Sequence, residues 1–515
     1  MSFGSVPTPA VLPPLHHPVP PTPAVIRRRP VRRRALPAWF GWPLFIALAL
    51  VPLVIATLVR PVHLLAACLA YLNLLLIGGA WVYFASRGTL QGLIPGLFLT
   101  WLAAAWPLAT LYFAIEAPDL AYESLFGNRL FLFNAVRVQV ATSAFLAAYL
   151  CVMWGLDRPE APWRAPVVNR ARDRQVATVA LCLVMAALGF NAVGKLRPFP
   201  GVAQYVADGA YLYLHSLALV VGAMFTTFAV RTRVLWFVFL LVAGIFYVIG
   251  NARSMATLPV ALFLVGLIFL SDLKRRWKNW IVAAAMVGFP VILVVGNTTR
   301  AVTQTVGFRD MNARLQAMSK WQDVLARTPV LTSTFGRLFF KAGHTIVGYS
   351  PEQFPFIDFS WKRYGLEFVT RLFPRRFMRE LYYSEQPNRI LRGYGFLITD
   401  ETSEPLSMIG SLYMLGGFIP VVAGGLAVGL FHSGVRRYLR SARRRSPYLA
   451  LFSFAMFASE MLWGQNRDLI SHVRTLVWYG IGAWVLFQLC VRPLAVGLPT
   501  RAARRVRACG AAARQ

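Results

Sequence analysis

SMATLPVALFLVGLIFLSDLKRRWKNWIVAAAMVGFPVILVVGN, residues 254–297, decides the fold: two apolar runs, 254–271 and 279–297, flank the basic tract KRRWK at Lys274–Lys278. Each run is near the length a helix needs to cross a hydrocarbon core of about 30 Å. A chain in lipid must satisfy its backbone groups internally, so both runs are predicted to be helices. The cations between them mark a cytoplasmic turn, because short cytoplasmic loops carry the excess of Lys and Arg.

The same alternation extends in both directions. Further apolar runs lie at 39–59, 63–85, 93–115, 136–156, 176–195, 209–230, 233–250, 406–431, 448–465 and 473–493, which makes twelve predicted spans. Cations gather in alternate connections, at Arg87, Arg158–Arg174, Arg231 and Arg233, Lys274–Lys278, Arg436–Arg445 and from Arg501 onward. The connection Glu116–Asn128 has carboxylates and neither Lys nor Arg. An all-α polytopic bundle with both termini cytoplasmic follows, in a bacterial inner membrane. Composition agrees, with 57% hydrophobic residues and a mean hydropathy of +0.55. The net charge of +33 sits in anchoring clusters rather than on one basic face, so no nucleic-acid partner is expected. Residues 1–37, with RRRPVRRR at Arg27–Arg34, read as a disordered cytoplasmic tail, and 39–59 as an uncleaved signal anchor. A second basic tail is expected over 495–515.

One connection breaks the short-loop pattern. Residues 298–404, between predicted spans nine and ten, fall on the external side and carry 15 Lys and Arg against 10 Asp and Glu. Met311, Leu315, Met318, Trp321 and Leu325 follow helical spacing, so a partly helical cap is expected there. Long translocated segments escape the positive-inside rule, and the cation excess points to an anionic ligand. Arg363, Arg371, Arg375, Arg376, Arg379, Arg389 and Arg392 are interleaved with Trp361, Tyr364, Tyr382, Tyr383 and Tyr394. Guanidinium forks suit phosphate oxygens and aromatic faces suit sugar rings; a basic face on lipid headgroups is the competing reading.

Ionisable groups at helix ends are further candidates, since lipid makes them costly. Arg253, Arg300, Glu460, Arg467, Asp468, His472 and Arg474 are of this kind, each competing with the reading of an interfacial side chain that snorkels. For Arg137 and His215 a buried hydrogen bond within the bundle is the expected role. There is no Walker A loop, HExxH or GxSxG, and Cys68, Cys151, Cys182, Cys490 and Cys509 form no CxxC, so neither a metal nor a cofactor is expected.

Four segments carry a resemblance: GNARSMATLPVALFLVGLIFL (250–270), LFPRRFMRELYYSEQPN (372–388), EPLSMIGSLYMLGGFIPVVAGGLAVGLF (404–431) and QNRDLISHVR (465–474). In order and spacing they resemble the bacterial oligosaccharide repeat unit polymerases of the Wzy type, over roughly the C-terminal half. The chain departs from that pattern at Ser411, where many relatives have Glu, and at Gln386, where they have Lys. The resemblance implies a metal-independent glycosyl transfer joining undecaprenyl-diphosphate-linked oligosaccharides into O-antigen, capsule or exopolysaccharide, with a chain-length regulator protein as a partner. Arg253, Arg375, Arg467, Arg300 and Arg392 would then hold diphosphate, and Trp361, Tyr364 and Tyr383 would stack on sugars. His344, His472, Asp468 and Glu404 are the candidates for the base that takes the acceptor proton. An O-antigen ligase is the nearest alternative, and a polysaccharide transporter or flippase the non-enzyme one.

The charge alternation has a direct check. An alkaline phosphatase fusion near Gly348 is expected to be active and one near Ser441 inactive; the reverse pattern would invert the topology.

Overall fold

The computed structural model describes residues 61–85, 89–116, 135–157, 170–196, 199–200, 202–249, 253–285, 288, 313, 316, 407–464 and 468–496. The expected tails, the expected span at 39–59, most of the one at 279–297 and nearly all of 298–404 lie outside them. Among the described residues there is no strand, and eight helices are long and apolar enough to cross a membrane. The chain is a helical membrane protein.

The elements are α1 (Pro61–Ala85), α2 (Leu90–Ala103) running through the π turn Ala104–Leu108 into α3 (Ala109–Glu116), α4 (Ala135–Gly155) and α5 (Arg170–Leu196). Next come α6 (Val202–Leu214), the 3₁₀ turn His215–Leu217, α7 (Ala218–Ala223), α8 (Val230–Ile249) and α9 (Arg253–Val265). The C-terminal group is α10 (Met408–Met414), α11 (Phe418–Arg445), α12 (Pro447–Trp463), α13 (Leu469–Leu486) and the short α14 (Arg492–Val496).

Four predicted spans differ from the helices found: the runs 254–271 and 448–465 fall on the shorter apolar helices Thr257–Leu270 and Pro447–Leu462, and two further runs are interrupted. The run 209–230 is broken by 3₁₀ turns at His215–Leu217 and Phe225–Thr227. The run 406–431 is broken at Gly416 and Gly417, with φ of +144° and +79°, backbone that residues bearing a Cβ rarely adopt. Beyond the break α11 continues to Arg445, through the stretch predicted as a basic cytoplasmic loop. On this stretch the Arg436 side chain is 5% exposed, and its guanidinium pairs with Asp157 at 2.5 Å. Asp157 also accepts the Tyr83 hydroxyl at 3.1 Å, and Phe84 stacks 5.6 Å from the Arg436 guanidinium carbon. Removing one partner of such a pair costs about 3–5 kcal/mol, so this charge belongs to the packed helix.

Helix direction is read from paired residues. Gly425 lies against Phe145 and Ala148, Gly429 against Tyr149 and Val152, Ser433 against Met153 and Arg436 against Asp157. Numbers rise together, so α4 and α11 are parallel. The pairs Asn73–Gln139, Asn73–Ser143 and Tyr83–Asp157 make α1 parallel to α4 as well. Small residues permit this approach: a Cβ on Gly425 would sit 2.6 Å from the Phe145 carbonyl oxygen, and one on Gly429 2.8 Å from Val152 Cβ. Gly222 and Gly266 do the same for α7 and the π turn after α9.

Polar clasps fix the register. Asn73 donates to Gln139 Oε1 at 3.1 Å, Gln139 donates to Thr110 Oγ1 at 2.7 Å, and Ser143 donates to Asn73 Oδ1 at 2.9 Å. Asn191 donates to Asp208 at 3.0 Å and accepts from the Tyr247 hydroxyl at 3.1 Å, tying α5 to α6 and α8. The outer face of α8 is apolar, with Leu235, Val238, Leu241, Val242 and Ile245 exposed as befits lipid.

By contrast α12 is sealed: every residue from Tyr448 to Met461 is buried. Its polar groups each find a partner on another element. Tyr448 donates to Asp173 on α5, Ser453 to Tyr438 on α11 at 3.4 Å, Ser459 meets His215 in the 3₁₀ turn at 2.8 Å, and Glu460 meets His472 on α13 at 2.9 Å. His215 thus has the buried hydrogen bond expected of it.

Replacing Gly425 by Leu forces bulk into the α4–α11 contact and is expected to destabilise the protein by about 2 kcal/mol, within the range for overpacked interiors. Gly434→Leu, on the same helix with nothing within 4 Å of its Cβ position, is the control expected to leave thermal unfolding in detergent unchanged.

Candidate functional site

Of the residues singled out in sequence, α12 and α13 bring three together. Glu460 stands in the last turn of α12, and Asp468 and His472 at the head of α13. Asp468 caps the helix, accepting the Ser471 backbone N–H at 2.8 Å and the Ser471 hydroxyl at 2.9 Å. This is the local reason the chain turns there: an Asp cap offers its oxygens to the otherwise unpaired N–H groups of the first helical turn. Asp468 as a residue is half-buried.

Beneath the cap, four buried side chains from four helices form one row. The Tyr149 hydroxyl on α4 lies 3.0 Å from Nδ1 of His432 on α11. His432 Nε2 lies 3.0 Å from His472 Nε2 on α13, and His472 Nδ1 lies 2.9 Å from Glu460 Oε1 on α12. Three of the four have no exposed surface, and Glu460 is 1% exposed. Phe98 of α2 closes one side, its ring edge-on to His432 at 4.7 Å and tilted over His472 at 5.9 Å. Gly464 closes the tip, where a Cβ would overlap His472 Nδ1.

The parallel contact of α4 with α11 builds half of this row, since Gly429 lets α11 approach close enough for Tyr149 to reach His432. The α12–α13 hairpin builds the rest. Both ring nitrogens of His472 are engaged, so as it stands the imidazole acts on its neighbours rather than on a ligand. His432 and Tyr149 escaped sequence reasoning. Predicted span ten ended at Phe431, one residue short, which left His432 at a loop entrance; Tyr149 looked like one aromatic in an apolar run.

The other sequence candidates are not brought into this row. Arg253 opens α9, with only its backbone described. His344, Glu404, Arg300, Arg375, Arg392, Arg467, Trp361, Tyr364 and Tyr383 lie outside the described residues. Arg137 hydrogen-bonds Tyr413 of α10, the structural role expected of it. Among the described residues no group of three or more His, Cys, Asp or Glu is arranged to hold a metal ion. Comparison with family models, curated proteins and solved structures gave no match.

Gly464 provides a test of the row's geometry. Gly464→Ala drives a methyl into the His472–Glu460 bond and is expected to cost about 1–3 kcal/mol in thermal unfolding. Gly480→Ala, whose new Cβ would meet only the Phe457 ring at 3.5 Å, is expected to be neutral.

Proposed function

We propose that this protein is a membrane glycosyltransferase that polymerises polyprenyl-diphosphate-linked oligosaccharide repeat units at the external face of a bacterial inner membrane. The observation that carries this reading is the grouping of Glu460, Asp468 and His472, two of them in the QNRDLISHVR segment that resembles the polymerases, at the tip of one helix hairpin. Glycosyl transfer to a sugar hydroxyl needs a carboxylate or imidazole to take the acceptor proton, and cations at the leaving diphosphate. Of the three, Asp468 is the one that is not fully buried, and His472 stands one turn behind it. Arg467 precedes Asp468, and Arg253 opens a helix whose N-terminal dipole favours an anion. The arginine and aromatic residues of 361–394 supply further phosphate and sugar contacts. The parallel course of α1, α4 and α11 supports the predicted topology, because predicted spans two, four and ten cross in the same direction.

A transporter or flippase is the second reading, favoured by the buried row itself, since intramembrane His, Glu and Tyr chains serve proton-coupled transport. The two differ in where substrate accumulates. Deletion of the polymerase is expected to leave single carrier-linked repeats at the external face with no long polymer; deletion of a flippase leaves them at the cytoplasmic face. Protease-free spheroplasts probed with a membrane-impermeant lectin separate the two. Normal-length polymer in the deletion strain would remove the polymerase reading.

A further inference from the structure

We propose that Tyr149, His432, His472 and Glu460 form a buried proton-binding site that takes up one proton without losing a hydrogen bond. The inference requires no particular reaction at the external face.

The argument begins with what each group can donate. A neutral imidazole has one N–H and one acceptor nitrogen, and a carboxylate only accepts. With Glu460 ionised, His472 must donate from Nδ1, which leaves its Nε2 as an acceptor in the neutral ring. His432 therefore donates from Nε2, its Nδ1 becomes the acceptor, and the Tyr149 hydroxyl donates to it. One arrangement satisfies all three bonds with both rings neutral, and every proton in it points toward Glu460.

The same row admits a second arrangement with one more proton. A proton bonds to the Tyr149 oxygen as the hydroxyl's own proton passes to His432 Nδ1. The His432 Nε2 proton passes to His472 Nε2, and the His472 Nδ1 proton to Glu460 Oε1. Each tyrosine and histidine ends with the number of protons it began with, and the carboxylate becomes a carboxylic acid. The site goes from one negative charge to none. All three bonds persist with donor and acceptor exchanged, so protonation at one end is registered at the other.

Arg436 lies one turn along α11 from His432, and its charge is held by the Asp157 carboxylate. Among the described residues, the elements that build the row bring these groups to it: α4 Tyr149 and Asp157, α11 His432 and Arg436, α12 Glu460, α13 His472, Asp468 and Arg474, and α2 the uncharged Phe98. His215 stands apart, bonded to Ser459 and to the Tyr211 carbonyl.

The test is infrared difference spectroscopy of the purified full-length protein in lipid nanodiscs, titrated with acid. A buried carboxylic acid C=O band is expected to appear, with imidazole and tyrosine ring bands changing at the same midpoint. The carboxylic band should be lost in Glu460→Gln. In His432→Phe the carboxylic band should remain while the tyrosine change is lost, because the row is cut between them. A carboxylic band that survives Glu460→Gln, or one that titrates in the wild type while imidazole and tyrosine bands stay silent, would overturn the proposal. The wild-type coincidence needs no variant to fold.

Discussion

A polar atom in the dry interior of a helix bundle has no water to fall back on, and α12 lives under this constraint from Tyr448 to Met461. Every residue of that stretch is buried, so Tyr448, Ser453, Ser459 and Glu460 must each be met by a side chain from elsewhere. The partners come from α5, α11, the turn after α6, and α13. Interhelical hydrogen bonds in membranes average only about 0.6 kcal/mol each, yet leaving such a group unmet costs more, and the four together allow α12 one register. Since α12 is the axis, its register sets that of its neighbours.

Around this axis the helices are held by closeness more than by polarity. Lipid tails are as apolar as leucine, so burying leucine against leucine gains little; contact between backbones gains dispersion on both sides. Gly425 and Gly429 supply that contact between α4 and α11. The consequence reaches the polar row, because the approach that tightens the bundle also places Tyr149 beside His432. Packing and chemistry share one pair of glycines.

The membrane character and the approximate helix positions were legible in the sequence, since twenty-residue apolar runs admit few other structures. The breaks were harder. Gly416–Gly417 stands inside a run whose hydropathy never falls, and a window over composition passes across it. Arg436 misled in the opposite direction: a cation beside Arg437 and Arg440 reads as an aqueous loop, whereas its carboxylate partner lies 279 residues earlier in the chain. Glu460, Asp468 and His472 were legible because ionisable groups at helix ends stand out against apolar neighbours. His432 and Tyr149 acquire meaning only when α4 and α11 are laid side by side, and no local pattern announces that pairing.

The hairpin of α12 and α13 has a bearing on how the protein is made. At 1.5 Å per residue the 17 residues of α12 reach about 26 Å, while the 28 of α11 reach about 42 Å. A segment this short, carrying Glu460 in its last turn and followed by Asp468 and His472, enters hydrocarbon alone less readily than a wholly apolar one, because ionisable groups in lipid are costly. It is therefore a poor client for the lateral gate of the translocon until a receptive groove exists. That groove is made by α2, α4 and α11, all of which leave the ribosome earlier. Biogenesis ends with the most polar hairpin being drawn from the insertion machinery into a bundle that has waited for it, and a chain stalled before that step would display its unfilled groove to the membrane's proteases.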